Sequence, residues 1–120
     1  MKLIVTKDYV ELPAKKFTGI SLIFYDEDIA YCFWKDGKIH RNNKPAMYSS
    51  SNYYYFKNNK IHRKDGPAHI AKNVGYFAGF SIDISRWYYD GVDYGTNFNM
   101  NTWKKKVKFI KAKKRLGIFI

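Results

Sequence analysis

One short phrase occurs twice in this chain, and its spacing limits what the chain can fold into. The first copy reads Trp34-Lys35-Asp36-Gly37-Lys38-Ile39-His40-Arg41, followed by Pro45-Ala46. The second reads Phe56-Lys57-Asn58-Asn59-Lys60-Ile61-His62-Arg63, followed by Gly66-Pro67-Ala68. Aligned positions lie 22 residues apart. A weaker third copy runs Tyr88-Tyr89-Asp90-Gly91-Val92-Asp93-Tyr94, with Tyr94 in the His position and Gly95 in the Arg position. A ragged front end stands at Pro13-Ala14. A fixed period implies one small unit, built repeatedly and stacked on itself.

Asp36-Gly37 is a hairpin signal, because Gly reaches positive φ without steric cost and Asp tolerates it. Asn58-Asn59 and Asp90-Gly91 occupy the same place in the other copies. Each unit therefore reads as strand, two-residue turn, short strand carrying Ile-His-Arg, and a Pro-Ala corner. The interval from Pro to the next turn's aromatic is 21 residues (Pro13 to Trp34), then 11 (Pro45 to Phe56), then 21 (Pro67 to Tyr88). The two long intervals leave room for extra hairpins at Ile20–Trp34 and Val74–Tyr88. Lys2 to Val10 alternates as an edge strand would, and Pro13 ends it.

The expectation is a mainly β (α+β) fold: an antiparallel meander of repeated hairpins, seven to nine short strands, closed by one C-terminal helix. A single domain covers 1–120, with the sheet over about 1–98 and a basic helix and tail over about 101–120. Aromatic content of 19% fits strands. Cys32 is the only cysteine, so no internal disulfide forms and a reducing compartment is expected. The apolar run at the start is too short for a signal peptide, and no stretch is long enough to span a membrane. A cytoplasmic protein is expected.

Charge is distributed unevenly. Residues 1–102 hold 14 Lys and Arg against 10 acids, whereas residues 103–120 hold eight Lys and Arg and no acid. Such asymmetry calls for an acidic partner. Asn101-Thr102 reads as a helix cap and Gly117 as a stop. Trp103, Val107 and Ile110 form a stripe that would dock on the sheet. Lys104, Lys108, Lys111 and Arg115 form a separate cationic stripe. Phe109, Ala112 and Leu116 form a second apolar stripe, and Ile118-Phe119-Ile120 also needs cover.

The phrase "WKDGKIHR…PA…YFKNNKIHRKDGPAHI" resembles the Trp-Tyr-x-x-Gly-x-x-His-Arg-x-x-Gly-Pro-Ala repeats of phage and large-virus proteins, a variant of MORN-type repeats. "WYYDGVDYGTNFNMNTWKKKVKFI" resembles the unit that closes such arrays. The resemblance covers about residues 31–70 and 87–110. The first copy departs from it at Lys44, where the pattern has Gly, so its corner is expected to be built differently. The resemblance implies a repeated antiparallel sheet and a viral origin, but no single activity.

His40-Arg41 and His62-Arg63 have a structural reading, in which His bonds the preceding turn and Arg meets Asp65 or a carbonyl. Their chemical reading is an acid–base pair or a metal site, which needs a third ligand. Asp26, Glu27 and Asp28 read as a solvated turn. Tyr53, Tyr55 and Tyr89 are either sheet packing or a platform on which bases stack.

Three functions remain open. The first is a non-enzymatic, cofactor-free binder of nucleic acid or a nucleoprotein, with no membrane role. Its contacts would be Lys104, Lys105, Lys108, Lys111, Lys114 and Arg115, with Arg86, Lys57 and Lys60. The second is a viral inhibitor that blocks a host defence protein. The third is a small His-dependent nuclease or hydrolase. It ranks last because the chain has no nucleophile elbow, phosphate loop or spaced carboxylate pair.

Overall fold

All three expected turn pairs have both residues at positive φ: Asp36 and Gly37 (50° and 78°), Asn58 and Asn59 (49° and 68°), Asp90 and Gly91 (48° and 81°). This geometry matches the twist of the strands it joins. The computed structural model describes residues 2–6, 16–25 and 27–117. The strands are β1 (Lys2–Thr6), β2 (Gly19–Tyr25), β3 (Asp28–Lys35), β4 (Lys38–Ile39), β5 (Met47–Tyr48) and β6 (Asn52–Tyr54). They continue with β7 (Phe56–Lys57), β8 (Lys60–Ile61), β9 (His69–Phe77), β10 (Phe80–Arg86), β11 (Tyr88–Tyr89) and β12 (Val92–Asp93). One helix, α1 (Met100–Arg115), follows. The fold is mainly β, with hairpin sheets and a C-terminal helix.

The main sheet runs β1-β2-β3-β5-β6-β9-β10, with β4 paired to β3. Two hairpins, β7-β8 and β11-β12, form separate two-stranded sheets. Both extra hairpins are present, as β2-β3 and β9-β10. Three expectations need correction. The twelve described strands exceed the seven to nine expected, because the chain leaves the main sheet at Tyr55 and Trp87 and starts a new hairpin at each. β1 lies at one end of the sheet but pairs parallel with β2, so the sheet is not wholly antiparallel. The Ile-His-Arg strand ends at Ile39 and at Ile61, leaving each His-Arg just beyond it. Val10, Pro13, Asp26 and Ile118-Phe119-Ile120 lie outside the described residues.

The repeats are tied together through their turns. In each turn the second residue donates its amide to the preceding unit: Gly37 to Phe17 O, Asn59 to Ile39 O and Gly91 to Ile61 O, at 2.8–2.9 Å. The first turn residue donates to the next side chain along. Asp36 N bonds Thr18 Oγ1 (2.9 Å), Asn58 N bonds His40 Nδ1 (3.3 Å), and Asp90 N bonds His62 Nδ1 (2.9 Å). Each His therefore caps the following turn and not the preceding one. Thr18 does the same work one period earlier.

Each Arg serves its own unit. Arg41 donates to Pro45 O and covers the Phe33 ring at 3.9 Å. Arg63 donates to Pro67 O and covers Tyr55 at 4.0 Å. The corners enclose Ala46 and Ala68, both 0% exposed. The Lys44 corner thus keeps the same bond as the Gly66 corner. The two differ one residue earlier, where Asn43 takes a φ of 58°.

The third unit has Gly95 where Arg would stand, so its aromatic, Trp87, lacks that cover. The helix supplies it. Trp103 packs on Trp87 with ring centroids 5.4 Å apart, and Tyr94 and Phe98 close the cluster. Trp103 Nε1 donates to Arg63 O, and Val107, Ile110 and Tyr89 complete this core. The inward stripe is the expected one. The cap lies two residues earlier than expected: Asn99 is the N-cap and Thr102 answers it from the third helical position, a reciprocal capping box. Gly117 ends the helix at a φ of 70°.

Candidate anion-binding face

On α1, Lys104, Lys105, Lys108, Lys111 and Arg115 are all exposed. Among the described residues none of the five has a carboxylate within salt-bridge distance. Lys114 differs. It lies on the inward side of the helix, four residues beyond buried Ile110, and pairs with Asp90 across the ring of Tyr89. Hydrogen bonding to Asp90 raises its pKa. Burial pushes the Asp90 carboxyl up, but the bond and charge of Lys114, with the charges of His62 and Lys60, hold it below its ordinary value. Lys114 therefore belongs to the scaffold. Its place was readable, since at 100° per residue it falls with Trp103, Val107 and Ile110.

The fold brings Lys57 and Lys60 toward this face. Burial lowers the pKa of His62, Asp90 offsets part of that, and the charges of Lys57, Lys114 and Lys111 lower it further. Lys57 from the second repeat and Lys111 from the helix thus act on one imidazole. A cleft of about 360 Å³ opens beside them, lined by His40, Arg41, Lys57, His62, Arg63, Lys64 and Asp65 with neighbouring groups. His40 and His62 share this cleft, as stacking of units implied. Among the described residues, no three His, Cys, Asp or Glu side chains group as a metal would require.

The other expected contacts fall elsewhere. Arg86 is paired with Asp93 at 3.0 Å. Tyr89 is buried, its ring 4.5 Å from that of His62. Tyr55 lies under Arg63. Tyr53 stacks on Tyr48, which stacks on Tyr31. That stack lines a groove with Glu27 and Asp28, and carboxylates there disfavour phosphate. Hydrogen bonds from Ser50 and Ile29 hold Asp28 below its ordinary value. Cys32 is 1% exposed, and burial pushes its thiol up to about 12.

Comparison with family models, curated proteins and solved structures gives no significant match. No helix among the described residues is long and apolar enough to cross a membrane.

Proposed function

We propose that this chain is a non-enzymatic binding protein, of viral origin, that engages nucleic acid through its phosphates. The contacts are Lys104, Lys105, Lys108, Lys111 and Arg115, with Lys57 and Lys60 alongside. The reading rests on one observation: five exposed cations on one helix without carboxylate partners among the described residues, while Lys114 on the same helix has one. Clustered like charges repel one another unless an anion lies opposite. No base-reading element accompanies them, so recognition is by charge and shape.

The test is fluorescence anisotropy with generic DNA and RNA across a salt series. Affinity should fall steeply, with a slope near −0.9 per neutralised phosphate on duplex DNA. Changing Lys104, Lys108, Lys111 and Arg115 together to Ser should flatten the slope on duplex DNA by roughly 3.6. Changing Lys114 alone should leave the slope nearly unaltered. Absence of binding at low salt refutes the reading.

A second reading has one observation in its favour. Phe109 and Leu116 are 52% and 74% exposed beside these cations, and phosphate contact makes no use of them. A viral inhibitor of a host defence protein would use such residues as anchors and the lysines to steer association. Under that reading, Leu116→Ser weakens partner binding more than Lys108→Ser does.

A further inference from the structure

Among the described residues, exposed large apolar side chains concentrate on the β9-β10 arm. Tyr76, Phe77 and Phe80 are 74%, 77% and 76% exposed, and Val74, Ile82 and Ile84 between 41% and 50%. β10 is the last strand of the sheet, so its outer edge pairs with no strand among the described residues. Paired residues share a face. Phe80 lies opposite Phe77, Ile82 opposite Gly75, and Ile84 opposite Ala71, so one face of the arm carries no polar side chain at these positions.

Exposed edges are usually blunted by Lys, Pro or a bulge in the edge strand itself. Residues 73–85 contain neither Lys, Arg nor Pro. The register shift between Ile82 and Ile84 places the extra residues on β9, where Asn73 turns to a φ of 55°. β10 stays extended. The one charge in residues 73–85, Asp83, is held within the arm by Lys72 Nζ (3.4 Å) and Asn73 N (3.0 Å).

We propose that this arm joins two copies of the chain, by antiparallel pairing of their β10 edges about a two-fold axis at Ile82. In this register Ile82 meets its own counterpart, and Phe80 meets Ile84 of the second copy. Centring on Asp83 would set two carboxylates opposite each other, centring on Ile84 would set Arg86 against Ile82, and centring on Ser81 would shorten the ladder at the turn. A second copy is the favoured occupant because of charge. Two chains of formal charge +12 repel, and residues 73–85 of the arm let them meet over a stretch without Lys or Arg. A face without charge matches neither an acidic nor a basic partner. Phe80, Ile82 and Ile84 stand on the pairing strand itself and Phe77 shares their face, so the contact is apolar on that face, while Tyr76, opposite Ser81, lies on the other. The two-fold makes the contact self-complementary and closed.

Sedimentation of the full chain up to about 100 µM tests this, a concentration that saturates any dimer of micromolar Kd. A dimer is expected, and salt should strengthen it by screening repulsion between the copies. Nucleic-acid binding has the opposite salt dependence, so either can fail without the other. Ile82→Lys should weaken the dimer more than about tenfold, because like charges would then face each other. Ile82→Cys should cross-link to itself on oxidation, with buried Cys32 silent. A monomer at the highest concentration, a dimer indifferent to Ile82→Lys, or no cross-link through Ile82→Cys overturns the proposal. So does a monomer that binds neutral lipid vesicles through the arm.

Discussion

His62 joins two repeats through an unprotonated nitrogen, and this makes the fold sensitive to acid. Nδ1 accepts from Asp90 N, so a proton there removes the acceptor. Burial holds the folded pKa below the ordinary 6.5. The unfolded chain therefore takes up the proton first as pH falls. The stabilisation is complete above about pH 6.5 and is lost as pH drops through the folded value. His69, lowered chiefly by burial and then by Arg86, acts with the same sign. Melting temperature should fall from about pH 7.5 to about pH 5. His62→Ala should melt lower at neutral pH but show a shallower decline. The repeat made both imidazoles conspicuous in sequence. It left open which turn each one serves, because nothing local distinguishes the unit behind from the unit ahead. Thr18 stands 22 residues before His40, yet a hydroxyl does not resemble an imidazole until each is seen to accept the equivalent turn amide.

At the scale of the element, the helix combines a structural face with a cationic one. Trp103 is 0% exposed and covers Trp87 where the third repeat lacks its Arg. Trp103→Ala should cost about 3–5 kcal/mol, readable by urea denaturation. Trp103→Phe should recover part of that but not the bond from Nε1 to Arg63 O. Lys114→Ala removes a pair whose side chains are 54% and 36% exposed, so the loss should stay below about 1 kcal/mol. Helical periodicity identified the buried stripe correctly, because 3.6 residues per turn is a local property. The cap lies two residues before Asn101: Asn99 and Thr102 form a reciprocal pair, and Asn97, Asn99 and Asn101 follow one another at alternate positions with nothing local to say which one turns the chain.

On the scale of the whole molecule, the dimensions of 45 × 42 × 21 Å are too thin for more than about two layers of structure. Such a slab leaves wide faces open, and the β9-β10 arm is one of them. It also makes truncation a poor probe of binding. Deleting residues 101–120 would uncover Trp87 and Tyr89 as well as remove the cations, so a lowered melting temperature should accompany lost affinity. The four-site Ser variant should instead keep its near-native melting temperature, since Lys104, Lys108, Lys111 and Arg115 are exposed. Circular dichroism melts of the two proteins side by side distinguish these outcomes.

The hairpins, their three turns, the helix and its inward stripe were legible in the order of residues. All of these follow from backbone preferences and side-chain periodicity within a few residues. The arrangement in space decided that each His caps the unit ahead, that Trp103 stands in for a missing Arg, that Asp90 is the group Lys114 meets, and that the arm's aromatics face outward. Each of these depends on which distant group arrives to cover or accept. An alternating apolar strand carries the same pattern whether another layer covers it or water does.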